Sequence, residues 1–286
     1  MYQAGLVLEG GGMKGIYTCG VLDYFLEKGI DFSSVYGVSM GACDMCSYLS
    51  KQHGRGRDII VDYVDLKAYC SVESLVLTGD LFNADMCYHL IPDYLNPFDY
   101  ETYKKYVGKA YSVVTNIRTG KPEYLQVKDM KSDIEMIRAS SSLPLVARVV
   151  EIDQKPYLDG GISDSIPLKK SIADGNQKNV VIMTKEVGFA RKPLNSASLA
   201  LIKARYLKYP KVYELMRDRH IHYNKTLEEI KRQKKEGRAF VIRPQKKVEV
   251  GRVERDKDKL IALYEQGHRD AEVCYEDMIN YLERRD

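Results

Sequence analysis

A chain of 286 residues with 44% hydrophobic content and a formal net charge of +4 can bury a full core, which excludes a disordered or fibrous protein. It has no run of about 18 apolar residues, and its amino terminus passes straight into "AGLVLEGGG" without a basic start or cleavage site. Neither a membrane-spanning helix nor a secretory leader is therefore expected, and the location expected is cytoplasmic.

In chain order, "GLVLE" (Gly5 to Glu9) is a short apolar run closed by glycines, and the periodic stretch from Gly15 to Lys28 stops at Gly29 as a helix does. "SSVYGVS" reads as a second strand and "GACDMCSYLSKQ" as a second helix. Strand, helix, strand, helix over fifty residues favours a parallel α/β sheet. From Arg55 to Thr102 the pattern breaks into loops and short helices passing over the sheet. "AYSVVTNI" and "NVVIMTK" resume buried strands, "SDIEMIRASSS" is a helix between them, and "RVVEIDQKPYLDGG" is a strand pair or a strand and turn. Beyond Val187 the chain turns to long charged, Tyr-rich helical stretches, interrupted by Pro210 and by one strand-like "RAFVIRP". The expected fold is a three-layer α/β/α sheet, mostly parallel, over 5–187, with a mainly helical, basic region over 188–286.

Six cysteines, Cys19, Cys43, Cys46, Cys70, Cys87 and Cys274, lie scattered rather than in the dense, regular spacing of a disulfide framework, so reduced thiols are expected. Cys43 and Cys46 form a C-x-x-C, but no second pair or C-x-H cluster completes a tetrahedral set. No metal or organic cofactor is expected.

Two glycine motifs carry chemistry. "EGGGMKG" (Glu9 to Gly15) contains G-x-G-x-x-G at Gly10, Gly12 and Gly15 between a strand and a helix. It could cradle a pyrophosphate, with Asp31 as a loose candidate for the ribose partner, or its free N–H groups could hold the oxyanion of acyl transfer. "GVSMG" puts Ser39 between Gly37 and Gly41 as G-x-S-x-G, the pattern of a nucleophile elbow. Loops after adjacent parallel strands meet at the carboxyl edge of the sheet, so the two motifs are expected to face each other.

Ser39 needs a base. His53, His89, His220, His222 and His268 stand at no expected strand end. "YLDGGISDSIP" offers Asp159, which ends an apolar stretch before Gly160 and Gly161; partial desolvation would raise its pKa from about 3.9 and make it a better base. The competing reading is a turn aspartate capping its own backbone.

The ordered trio of G-G-G-x-K-G, G-x-S-x-G and D-G-G resembles the patatin-like phospholipases, lipid acyl hydrolases that use a Ser-Asp dyad. "ASSSLP" (Ala139 to Pro144) also looks like a segment of that family. The resemblance implies Ser39 as nucleophile, Asp159 as proton acceptor, and Gly10, Gly11 and Gly12 as the oxyanion loop. It also implies Lys14 as a holder of the loop or of an anionic head group, and a phospholipid or other acyl ester as substrate. Glu9 stands where the family often has Asp. The alternatives are a non-catalytic lipid-binding or regulatory protein and a Rossmann-type nucleotide-binding module.

From Leu199 to Arg238 there are twelve Lys and Arg against five Asp and Glu. Cations with interleaved Leu and Tyr suit peripheral contact with an anionic membrane, or a helical cap that packs its apolar stripe on the catalytic part. Such composition also suits nucleic acid, but no nucleic-acid partner is expected.

Overall fold

The computed structural model describes residues 1–284. Its opening is β1 (Tyr2–Leu8), a 3₁₀ turn Gly12–Gly15, α1 (Ile16–Glu27), β2 (Phe32–Val38) and α2 (Met40–Leu49). The excursion that follows is α3 (Arg55–Tyr63), α4 (Val72–Thr78), a π-helical segment Met86–Leu95 containing Pro92, and α5 (Tyr100–Lys104). Then come β3 (Lys109–Asn116), β4 (Lys121–Gln126), α6 (Met130–Ser140), β5 (Val150–Ile152), β6 (Lys155–Asp159), α7 (Leu168–Ala173) and β7 (Asn179–Ile182). The last part is α8 (Ser196–Arg205), α9 (Pro210–Lys235), β8 (Phe240–Ile242), α10 (Lys257–Val273) and α11 (Tyr275–Glu283). Pro210 opens α9 at its first turn, where its missing N–H has no helical partner to lose.

One mixed sheet runs β5-β6-β3-β2-β1-β7-β8, with β4 also on β3. β1, β2, β3, β7 and β8 pair in parallel, and β4, β5 and β6 are antiparallel additions. The central strands are continuous apolar runs because both faces are covered. Leu6, Leu8, Val180 and Ile182 pack toward α1, α2 and α10, whereas Val7 and Val181 pack toward Leu168 of α7 and Tyr223, Leu227 and Ile230 of α9. The expected three-layer α/β/α architecture is present. The apolar stripe of α9 is core packing.

Elements beyond residue 187 pack on the same sheet and helix layer as those before it. β8 extends the same sheet beside β7, with Val180 opposite Phe240 and Ile182 opposite Ile242. α10 lies across α1 at close range: a Cβ on Gly20 would stand 2.0 Å from the Tyr264 carbonyl oxygen, and one on Gly267 2.1 Å from that of Tyr17. Tyr264 Oη donates to Asp23 at 2.8 Å and Tyr17 Oη to Asp270 at 2.8 Å, fastening both ends of the crossing.

The register explains how distant segments meet. β4 pairs with β3 from Tyr111 to Asn116 and so occupies most of one edge of it. The other edge is shared: β2 pairs as far as Val38 opposite Val113, and β6 begins at the next residue, with Asp159 opposite Val114. The chain leaves β2 at Ser39, beside the point where Asp159 ends β6.

Candidate active site

Ser39 occupies the junction of β2 and α2 at φ 55° and ψ −125°, a region that costs a non-glycine residue on the order of 1–3 kcal/mol and persists only when its surroundings enforce it. Here they do. The Ser39 N–H donates to Ser140 Oγ at 2.9 Å, and Ser140 Oγ donates in turn to the Val113 carbonyl at 2.6 Å. Its carbonyl accepts from Ala42 N–H at 2.8 Å, starting α2. A Cβ on Gly37 would lie 2.5 Å from Ala42 Cα, and one on Gly41 2.7 Å from the Leu8 carbonyl oxygen, so both flanking positions are closed to larger residues.

The glycine-rich loop after β1 lies directly on this elbow. A Cβ at Gly10 would fall 2.8 Å from Ser39 Cβ, and one at Gly15 would fall 2.3 Å from Met40 Cγ. Gly12 has φ +59°, and the Met13 N–H is spent on the Arg252 carbonyl at 3.1 Å. Among the described residues the N–H groups of Gly10, Gly11 and Gly12 have no acceptor. Behind the loop the fully buried Glu9 carboxylate accepts from Thr184 N–H at 2.7 Å and Tyr223 Oη at 2.6 Å. Thr184 Oγ1 also donates to the Gly10 carbonyl at 3.1 Å. Lys14, half-buried, reaches the Val248 carbonyl at 3.4 Å.

Asp159 is 1% exposed. Its N–H donates to the Ser142 carbonyl at 2.8 Å and its own carbonyl accepts from Thr115 Oγ1 at 2.8 Å. Its Oδ1 accepts the Gly161 N–H at 2.7 Å, which is the turn-capping bond of an Asp-Gly-Gly sequence. Its Oδ2 has no hydrogen-bond partner among the described residues. Burial raises the carboxyl pKa above its usual value; the Arg219 guanidinium and the Ser39 hydroxyl oppose the rise. The Ser39 hydroxyl thus favours the ionised carboxylate. Gly160 backs against β3, where a Cβ would stand 2.1 Å from the Val113 carbonyl oxygen, and the Gly161 carbonyl accepts from Arg219 Nε at 2.7 Å.

Ser39 opens onto a cavity of about 360 Å³ whose walls include Met40, Ile59, Phe82, Pro92, Ile134 and Leu143. That volume is in the range of small-molecule sites. The irregular middle of the chain supplies much of this wall. Cys43 and Cys46 line it as well, and Cys46 Sγ donates to the Ala42 carbonyl at 3.1 Å. None of the five histidines lines the cavity; His53 and His268 both pair with Glu27. Asp31 precedes β2 and pairs with Lys51, at the opposite end of that strand from the glycine loop, so it cannot meet a ribose there.

Ser140, Ser142, Thr184, Arg219 and Arg252 also belong to the site, and the sequence motifs do not single them out for these roles. The first two fall within "ASSSLP", a visible signal. The others carry none, because each is brought in from a separate segment.

A family profile described as patatin-like phospholipase matches residues 6–171, and a domain of unknown function, DUF6363, matches 209–283. The uncharacterized protein YjjU of Escherichia coli (strain K12) is 32% identical over 184 residues, covering 63% of this chain and 51% of that protein. The probable lipid hydrolase 463L of Invertebrate iridescent virus 6 is 23% identical over 197 residues, covering 62% of this chain and 66% of that protein. The matches thus span between half and two thirds of the length of these relatives. The crystal structure of VipD from Legionella pneumophila superposes with a TM-score of 0.48 at 12% identity, over 97% of this chain and 67% of that one. Because the profile runs from β1 into α7, and so takes in the glycine loop, the strained serine and the Asp159 turn together, the chain belongs to the patatin-like phospholipase family.

Proposed function

We propose that the chain is a serine lipid acyl hydrolase working through Ser39 and Asp159. What supports this reading is a serine held at φ 55° whose hydroxyl influences a buried aspartate, one carboxylate oxygen of which has no hydrogen-bond partner among the described residues. Ser39 Oγ attacks the ester carbonyl carbon while Asp159 Oδ2 takes its proton. The N–H groups of the Gly10 to Gly12 loop, without acceptors of their own, hold the oxyanion. Collapse of the tetrahedral intermediate releases the alcohol, which takes the proton from Asp159, and water then hydrolyses the acyl-serine by the same route. The apolar cavity receives the acyl chain, and lipid hydrolase 463L, named as a probable lipid hydrolase, supports a lipid substrate.

The test is hydrolysis of a p-nitrophenyl ester, together with labelling by a fluorophosphonate and location of the adduct by mass spectrometry. Ser39→Ala and Asp159→Asn are each expected to lower kcat by roughly 10³-fold or more. Full activity in both variants would refute the assignment. Lipid binding without turnover or labelling would leave a non-catalytic lipid-binding protein.

A further inference from the structure

Five cations gather about the glycine-rich loop and the Asp159 turn: Lys14, Lys185, Arg191, Arg219 and Arg252. None forms an ion pair among the described residues, although ion pairs are frequent elsewhere in the chain. Each is tied to a part of the site. Lys185 Nζ donates to Thr184 Oγ1 at 3.0 Å, and Thr184 holds the Gly10 carbonyl. Arg191 stacks on the Tyr223 ring at 4.3 Å, and its buried Nε has no hydrogen-bond partner. Arg219 sits on Gly161, and Arg252 holds the Met13 N–H through its carbonyl and shares the wall of the Ser39 cavity.

The carboxylates facing this group are Glu9, Asp159 and Glu186. Glu9 is already occupied by Thr184 and Tyr223. The cations feel one another: burial, then Arg191, holds Arg219 down at about 9. Burial likewise brings Lys185 to about 8, with Lys14, Arg191 and Arg252 acting against the opposing pull of Glu9. A cluster of like charges held this close costs free energy that a bound anion would recover. Guanidinium groups match phosphate oxygens in geometry as well as charge.

We propose that Arg191, Arg252 and Lys185 bind an anionic phosphate on the alcohol side of the ester that Ser39 attacks. This rests on the acyl hydrolase reading. The acyl chain then lies in the apolar cavity, the carbonyl at Ser39 and the phosphate over the glycine loop, among arginines supplied entirely by the chain beyond residue 187. Lipid chemistry beyond phosphate presence is thereby also narrowed: a choline cation on the same head group would offset the attraction.

Three substrates with one acyl chain test this: lysophosphatidate, lysophosphatidylcholine and the uncharged monoacylglycerol. The expected result is a kcat/KM for the first at least about tenfold above either other, the ratio of a single charge-assisted contact of about 1.4 kcal/mol. Arg252→Gln and Arg191→Gln are each expected to lower that preference, measured as the ratio of kcat/KM values. Arg252 is exposed, so its variant should fold even if the Arg191 variant does not. Thermal shift with inorganic phosphate is read in parallel, and stabilisation of the wild type that is lost in Arg252→Gln supports the site without recourse to turnover. Equal kcat/KM for the three substrates overturns the proposal, and does so even if inorganic phosphate stabilises the protein, since that pair of results describes a site for free phosphate. A wild type inactive on all three substrates and on the p-nitrophenyl ester refutes the hydrolase reading instead.

Discussion

In the proposed mechanism Asp159 takes a proton from Ser39 only while ionised, so its environment sets the acid side of the activity. Burial raises its pKa, and the Arg219 guanidinium is the leading influence in the opposite direction. In the proposed mechanism kcat/KM therefore rises with pH as Asp159 loses its proton, and the acid limb lies above the ordinary carboxyl value of about 3.9. Replacing Arg219 with Met removes a cation that favours the carboxylate, so Asp159 titrates still higher and the limb moves to higher pH. A pH profile of p-nitrophenyl ester hydrolysis measures this; a limb unmoved in Arg219→Met would show that the guanidinium does not act on Asp159. Ser140 has a different task. By accepting the Ser39 N–H and donating to Val113 it fixes the strained elbow to β3, leaving the Ser39 hydroxyl free of that duty.

Two junctions between elements hold this arrangement. The first is the shared edge of β3, where β6 takes up pairing one residue after β2 leaves off. The second is the crossing of α1 and α10, where Gly20 and Gly267 each lie against a carbonyl of the other helix. A side chain at either glycine must push the helices apart. Gly267→Val is accordingly expected to destabilise the protein by roughly 1–3 kcal/mol, the usual cost of overpacking a fitted interface. Urea unfolding reads this as a lower midpoint at unchanged slope. A midpoint equal to wild type would mean that α10 is free to shift away from α1.

The whole molecule closes its sheet with β8 and covers α1 with α10, so its carboxyl-terminal third completes the core that carries the site. A chain ending at residue 187 would expose β7, buried along its whole length, as a bare edge. That truncation is expected to be recovered in the insoluble fraction on expression. A soluble, ester-hydrolysing 1–187 would show the remainder to be dispensable for folding. The glycine loop, the Ser39 elbow and the Asp159 turn are legible in the sequence because each is local: a sharp strand-to-helix turn, a close backbone approach or an Asp-Gly cap leaves its mark within a few adjacent residues. The apolar runs of β1, β3 and β7 are legible for a similar reason, since strands covered on both faces need little else. The cavity wall was not legible, because the segment over 55–102 has no single periodicity to read. Nor was the place of β8 in the sheet, or the convergence of Arg191, Arg219 and Arg252 on one loop. Those depend on strand register and helix crossing, and pairing energies between residues far apart in the chain leave no periodic trace in the order of the amino acids.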